Sequence, residues 1–285
     1  MHAIGIDVGG TKIFAALVSK KGAITKSIKV GTPKSKKKLI ETLSSCVKAL
    51  QGHKKVSSAG IAIAGVLDGK KSVLLKSPNM PFLNNWKLKG CLSKKFGMRV
   101  KVENDANCFA IAAHRVEAPK AKNMAVLTLG TGVGCGLILN GRLYTGGGRA
   151  SEFGHTKFLI ESGKAVEAEK ILGSKGILKM AKEKGINAKG VSEISEKAKK
   201  SRKASKVMGE AGKNIGILTA NLFDTLDLEI VALCGGVSNP KNRLLAPAKK
   251  SCAKSRFIPG KKTLYTSALW GSGGAVGAAL NAMKS

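Results

Sequence analysis

The sequence predicts an α/β protein of two lobes, each built on the same order of strands and helices. Three observations predict it. Two glycine-rich turns, Ile6-Asp7-Val8-Gly9-Gly10-Thr11-Lys12 and Leu129-Gly130-Thr131-Gly132-Val133-Gly134, each join two short apolar segments of strand length. Strands and amphipathic helices alternate after both turns. The 285 residues, 43% of them hydrophobic, suffice for two cores.

In the first half, residues 3–8 and 13–18 are strands flanking the first turn. Ser19-Lys20-Lys21-Gly22 then bends the chain into a third strand near 23–30. Leu39, Ile40, Leu43, Val47 and Leu50 recur at helical spacing, which predicts a helix over 36–50. Residues 58–64 form a buried strand, 89–96 a helix and 99–102 a strand, and a further helix runs from Asn104 to about Arg115. The second half repeats the plan with strands at 124–129, 134–139 and 156–160. A broken helical region follows over 165–227, within which Val207, Ala211, Ile215, Leu218 and Leu222 mark one face of a long helix. A strand at 229–234 leads into the tight turn Gly235-Gly236-Val237, and a Gly/Ala-rich helix over 271–283 is suited to close packing. These boundaries place a smaller lobe at 1–116 plus 271–285 and a larger one at 117–270, with a hinge near 117–122 and a cleft between the lobes. The basic stretch 195–206 is expected on an exposed helix face or loop.

Composition limits the partners. No long apolar run suggests a membrane span, and the first residues read as a strand rather than a secretory leader. The six cysteines stand singly with no CxC or CxxC pair, so they read as buried, reduced thiols of a cytoplasmic protein. Lys and Arg total 50 against 17 Asp and Glu, a net charge of +33. That balance would attract nucleic acid or polyphosphate. The lysines, however, are spread through 34–38, 199–206, 249–254 and 261–262 with few aromatics among them to stack on bases. A solvated lysine-rich surface is the favoured explanation, with salt-sensitive, non-specific polyanion binding as its consequence.

The chemistry concentrates at the turns. A strand–Gly/Thr turn–strand exposes backbone amides and hydroxyls without bulky side chains, which makes a phosphate cradle. Two such cradles facing each other would clamp a nucleotide. Within the first turn, Asp7 either serves a Mg²⁺ ion or stabilises the turn. Thr11 can donate to a phosphate, and Lys12 adds charge there or is one more surface lysine. In Val102-Glu103-Asn104-Asp105-Ala106-Asn107 a strand gives way to a helix, the place where α/β proteins bind ligands. Asp105 is the natural general base for an attacking hydroxyl; the competing reading is that Asn104 or Asp105 only caps the helix. Gly146-Gly147-Gly148-Arg149-Ala150-Ser151-Glu152-Phe153-Gly154-His155 sets a carboxylate and an imidazole near one bend, a pairing suited to sugar hydroxyls. A metal role for His155 lacks a neighbouring Cys or His, and a capping or core role stays open.

These segments, together with Ser77-Pro78-Asn79-Met80-Pro81, Gly141-Arg142-Leu143-Tyr144 and Gly235-Gly236-Val237-Ser238, occur in an order that resembles the ROK sugar kinases over nearly the full length. The resemblance implies the actin-like ATPase (ribonuclease H-like) fold, a duplicated βββαβαβα unit. It also implies an ATP-dependent hexose kinase that moves the γ-phosphoryl of MgATP to a sugar hydroxyl, with the 6-hydroxyl of glucose the first expectation. By the same resemblance Asp105 is the catalytic base, Gly65, Asn104, Glu152, His155 and Glu167 bind the sugar, and Thr131, Gly132, Gly235 and Gly236 contact the nucleotide. Asp7, Gly9, Gly10, Thr11 and Lys12 complete the nucleotide site, Asp7 holding Mg²⁺ through water.

One departure stands out. Many members carry a zinc site made from the Glu-x-Gly-His histidine and a CxCGxxGC segment. Here the stretch after His155 is short and has no cysteine, so no zinc is expected. Members that act as repressors carry an N-terminal helix-turn-helix, which this sequence does not show. A polyphosphate-dependent glucokinase is the alternative within the enzyme class. A non-catalytic sugar sensor or nucleic-acid-associated protein is the alternative outside it. A homodimer is compatible with the resemblance, although self-repulsion at this charge opposes one.

Overall fold

The computed structural model describes residues 1–52, 56–159, 163–239 and 243–284. The chain forms two compact units, Met1–Lys120 with Leu143–Ala150 and Ser272–Ser285, and Ala121–Arg142 with Ser151–Gly271.

The first unit opens with β1 (His2–Val8), β2 (Lys12–Ser19) and β3 (Ile24–Gly31), an antiparallel meander. Helix α1 (Lys36–Gln51) follows; the Ser35 hydroxyl caps it by accepting from the Lys38 amide, and Leu39, Leu43, Cys46, Val47 and Leu50 form its buried stripe. Then come β4 (Ser58–Ile63), a small hairpin of β5 (Val66–Leu67) and β6 (Leu74–Lys76), helix α2 (Leu88–Phe96), β7 (Arg99–Asn104) and helix α3 (Asp105–Val116). The sheet order is β3-β2-β1-β4-β7, with β4 parallel to both β1 and β7.

The second unit starts with β8 (Met124–Leu129), β9 (Val133–Leu139) and β10 (Arg142–Tyr144). A ribbon of β11 (Lys157–Leu159) and β12 (Ala165–Glu167) leads to helices α4 (Ala168–Leu172), α5 (Ser174–Glu183), α6 (Val191–Lys197) and α7 (Arg202–Leu226). Strand β13 (Ile230–Cys234), helix α8 (Leu245–Ser255) and β14 (Thr263–Thr266) complete the order β10-β9-β8-β13-β14. Both sheets therefore run hairpin, hairpin, then two parallel strands, and the doubled βββαβαβα plan is present.

The last helix, α9 (Gly273–Ala282), lies flush on the first sheet. Sequence explains how closely. A Cβ at Gly5 or Gly60 would run into the carbonyls of Ala275 and Ala278, and one at Gly277 would meet the carbonyl of Cys108 on α3. Glycine at all three positions lets the helix backbone touch strand and helix backbones directly, below the distance that side chains would impose.

Four expectations need correction. Residues 165–167, expected to be helical, form β12: Lys157, Phe158 and Leu159 pair with Glu167, Val166 and Ala165, and the helix begins only at Ala168. The strand expected over 156–160 is observed at Lys157–Leu159, and Ile160 falls outside the described residues. In the basic stretch 195–206 the lysines are exposed but Ser195 is buried, its hydroxyl accepting from the Arg243 amide. Cys91 is half-buried, whereas the other five cysteines are buried; all six are free thiols.

Candidate functional site

In the first unit the glycine turn between β1 and β2 is braced from beneath. The Gly9 amide donates to the Lys12 carbonyl at 3.1 Å, and Thr32 donates its hydroxyl to the Gly9 carbonyl at 2.6 Å. Gly10, Thr11 and Lys12 are exposed. A Cβ on Gly10 would press on Asn79 of the Ser77–Pro81 segment, so this turn has no room for a larger residue. Asp7, at the end of β1, is half-buried with its Oδ2 against Gly274 in the first turn of α9. Burial, then repulsion from Asp105, raise its carboxyl from 3.8 to about 7, and Lys12 offsets part of the rise. Asp7 and Asp105 thus share one electrostatic environment.

The β7–α3 junction divides two tasks between neighbours. Asn104 is the N-cap of α3: its Oδ1 accepts from the amides of Ala106 (2.9 Å) and Asn107 (3.3 Å), and its Nδ2 donates to the Gly65 carbonyl at 3.3 Å. Asp105 is the first residue inside the helix, where helix-end amides favour a carboxylate. The capping alternative therefore belongs to Asn104. Gly65 has φ +151°, and a Cβ there would strike the Lys76 carbonyl. Cys108 sits close enough to Glu103, Asp7 and Asp105 that all three add to the rise that burial imposes on its thiol.

In the second unit the β8–β9 turn is closed by the Gly130 amide donating to the Gly132 carbonyl at 3.0 Å. The Gly130 carbonyl in turn accepts from Ser174, the first residue of α5, at 2.8 Å. Gly235, at φ +90°, backs onto the Leu129 carbonyl, which accepts from the Val237 amide at 2.9 Å. Thr131, Gly132, Gly235 and Gly236 thus come together at the ends of β8 and β13, with Thr131 and Gly236 exposed.

The Glu-x-Gly-His bend is fixed to β9. Ser151, at φ +72°, donates its hydroxyl to the Cys135 carbonyl at 2.7 Å, and Gly154 lies against the Val133 carbonyl. His155 stands between two carboxylates, with Nε2 3.9 Å from Glu152 and Nδ1 3.9 Å from Glu167. Glu167 also receives Lys157 at 3.0 Å and Lys170 at 3.3 Å, and hydrogen bonds from these ammoniums hold its carboxyl below the usual range. Burial, assisted by the Glu152 charge, pushes the Cys135 thiol up to about 12, so this cysteine is no nucleophile.

Two metals bear on these residues. For Mg²⁺ the fit is good: Asp7 supplies a hard carboxylate oxygen whose charge burial and Asp105 disfavour, and a divalent cation would relieve both. For structural zinc it is poor. His155, Glu167 and Glu169 place ligand atoms within 4.8 Å of one another, yet they offer one nitrogen, no sulfur, and two lysines already on Glu167.

Sequence reasoning passed over four residues near these sites. Glu169 lies against Gly132, and Gly274 against Asp7; Lys71 and Asn107 converge on Glu103. Glu169 and Gly274 carry no motif, and Lys71 lies some thirty positions from its partner.

Residues 3–284 match the ROK family. The chain belongs to that family. The ROK chain is 34% identical over 161 residues to a glucokinase of Streptomyces coelicolor, an alignment covering 55% of this chain and 50% of that protein. The match thus spans about half the length of that curated relative. To an N-acetyl-D-glucosamine kinase of Vibrio vulnificus it is 31% identical over 255 residues, 82% of this chain and 84% of that one. Among solved structures, a ROK family glucokinase from Streptomyces griseus in complex with glucose and AMPPNP aligns with TM-score 0.87 at 28% identity, covering 100% of both chains. The ROK hexokinase from Thermus thermophilus aligns with TM-score 0.82 at 26% identity, over 99% of this chain and 98% of that one. The fold is therefore the two-lobed, actin-like α/β fold of ROK sugar kinases.

Proposed function

We propose that this ROK protein is an ATP-dependent sugar kinase acting on a hexose, with the 6-hydroxyl of glucose the first substrate to test. The observation that carries this reading is the β7–α3 junction: Asn104 caps the helix, and Asp105 opens it at the strand end, close enough to Asp7 for the two carboxylates to repel. Asp105 is the general base. As the sugar oxygen attacks the γ-phosphorus, its proton passes to Asp105. The new O–P bond forms while the bond to the β-phosphate oxygen breaks, and that electron pair leaves with ADP. Positioning and charge stabilisation are most of what phosphoryl transfer asks of a protein.

The remaining roles follow from side-chain chemistry. Glu152, His155 and Glu167 accept from and donate to the other sugar hydroxyls, with His155 oriented by the carboxylates on either side. Asn104 and the Gly65 backbone approach the sugar near the base. Gly9, Gly10, Thr11 and Lys12 in one turn, and Thr131, Gly132, Gly235 and Gly236 in the other, offer amides and hydroxyls to the nucleotide's phosphates and ribose. Asp7 is the residue to hold Mg²⁺, which when bound neutralises charge on the phosphate oxygens. No zinc is needed for this scheme.

The Streptomyces griseus structure, with glucose and AMPPNP, supports this donor and acceptor pair. The longer match to the N-acetyl-D-glucosamine kinase supports a second acceptor, N-acetylglucosamine. The test is a coupled assay of ADP release from MgATP across glucose, N-acetylglucosamine, N-acetylmannosamine, mannose and fructose. Glucose or N-acetylglucosamine is expected to give the highest kcat/KM. ADP release that no hexose stimulates would refute the reading.

A further inference from the structure

We infer that Lys71 is a positioning residue for the β7–α3 junction, acting through Glu103 to hold Asn104 and Asp105 in place. This rests on the assignment of Asp105 as the base.

The inference starts in the loop between β5 and β6. Asp68 ties that loop down: its Oδ1 accepts from the amides of Ser72 (2.5 Å) and Val73 (2.8 Å), and its own carbonyl accepts from the Lys71 amide at 2.9 Å. Lys71 is held at φ +53°, a left-handed conformation that a lysine rarely adopts unless the surroundings impose it. On one side Gly148, at φ +105°, lies against Gly69 of the same loop. The loop is thus shaped to aim one side chain.

That side chain reaches Glu103. Lys71 Nζ donates to Glu103 Oε1, and the same oxygen accepts from the Asn104 amide at 3.0 Å and from Asn107 Nδ2 at 3.0 Å. One carboxylate oxygen thereby joins the loop, the end of β7 and the first turn of α3. The pair is shielded from water, with the Glu103 side chain 8% exposed and that of Lys71 20% exposed. Within the Asn107 side chain, Nδ2 is the anchored end, because the buried Oδ1 has no partner among the described residues. If the ammonium is removed, Glu103 becomes a buried charge without a counter-ion, which is strongly unfavourable. It must then take a proton or turn toward water. Either change weakens its hold on the Asn104 amide, and Asp105 is the next residue.

The consequence falls chiefly on turnover. Asn104, proposed to touch the sugar, shifts with the junction and weakens sugar binding modestly, whereas the proposed sugar ligands Glu152, His155 and Glu167 are not tied to the Lys71–Glu103 pair, and the base loses its alignment. The experiment uses the full chain with saturating MgATP and whichever of glucose and N-acetylglucosamine the wild type phosphorylates faster. It compares Lys71→Met, Lys71→Arg, Glu103→Gln and Asp105→Asn. A base displaced by about 1 Å costs on the order of 100-fold in rate. Lys71→Met and Glu103→Gln are therefore expected to lower kcat about 10- to 100-fold while sugar KM moves less than about 5-fold. Lys71→Arg, which keeps the cation, should recover kcat to within about 3-fold of wild type, which simple loss of packing would not do.

Lys71→Met with wild-type kcat, or Lys71→Arg as impaired as Lys71→Met, would overturn the inference. Should Lys71→Met fail to fold, the near-isosteric Glu103→Gln carries the same comparison. Asp105→Asn separates the two readings. If it is inactive while Lys71→Met and Glu103→Gln are fully active, only the positioning role fails. If Asp105→Asn stays active, the base assignment fails and the positioning role with it.

Discussion

Asp7→Asn tests the electrostatics of the site without any substrate. In the native protein the Asp7 carboxyl is raised from 3.8 to about 7, chiefly by burial and then by Asp105. In the unfolded chain it titrates near its ordinary value. Between those two values the native state binds a proton that the unfolded state does not, so stability falls as pH rises through the window and the full penalty applies above about 7. A rise of about three pH units, at about 1.4 kcal/mol each, is about 4 kcal/mol. Asp7 as a whole residue is only half-buried, and allowance for hydration of the charged form places the expected penalty at about 2–4 kcal/mol. An asparagine at this position cannot ionise and escapes it. Urea denaturation of the ligand-free protein should show Asp7→Asn more stable than wild type by about that amount at pH 8, with the gap closing toward pH 4. A gap that does not change with pH, or a variant less stable at pH 8, would refute the reasoning. The same substitution should abolish MgATP-dependent turnover, so that stability and activity move in opposite directions.

Other expectations follow from the geometry. Gly277→Ala would drive a methyl into the Cys108 carbonyl and should cost about 2–3 kcal/mol by urea denaturation, whereas Gly69→Ala, which meets nothing within 4 Å, should cost under about 1 kcal/mol. His155→Ala should raise sugar KM about 10-fold or more in steady-state assays and change the ATP KM by less than about 2-fold, because a lost hydrogen bond to substrate is worth roughly 1–2 kcal/mol. EDTA should stop turnover and added Mg²⁺ restore it, while elemental analysis finds no stoichiometric zinc. Initial rates with polyphosphate in place of MgATP should be lower, since a bare phosphate chain would leave unused the nucleotide contacts proposed for Gly235 and Gly236.

The legible part of the fold was the part written in short-range pattern. The α1 stripe of Leu39, Leu43, Val47 and Leu50 emerged where its 3.6-residue period placed it. The two Gly/Thr turns sit at strand ends, and both sheets have the repeated order. What stayed hidden depends on partners distant in the chain. Val66–Leu67 is too short to read as a strand and exists because Leu74–Lys76 pairs with it. Residues 165–167 have no strand signature of their own and are extended because β11 lies alongside. Helix α8 buries only Ala248 and Cys252 along its length, too narrow a stripe to stand out among lysines. At the candidate site, Asn104, Asp105, Glu152 and His155 could be picked out because turns and strand ends mark them. Glu103 was visible only as part of a motif; what distinguishes it, a single oxygen shared by Lys71, Asn104 and Asn107, is a property of the folded chain.

The central claim is that Asp105 withdraws the proton of the attacking sugar hydroxyl. Its most direct test measures phosphorylation of glucose and of N-acetylglucosamine by wild type and Asp105→Asn with MgATP, alongside sugar affinity by calorimetry. Loss of the base should lower kcat by about 10²–10⁴-fold and leave the sugar dissociation constant within about 3-fold, a difference of under roughly 0.7 kcal/mol. Turnover by Asp105→Asn at a rate near that of wild type would contradict the account.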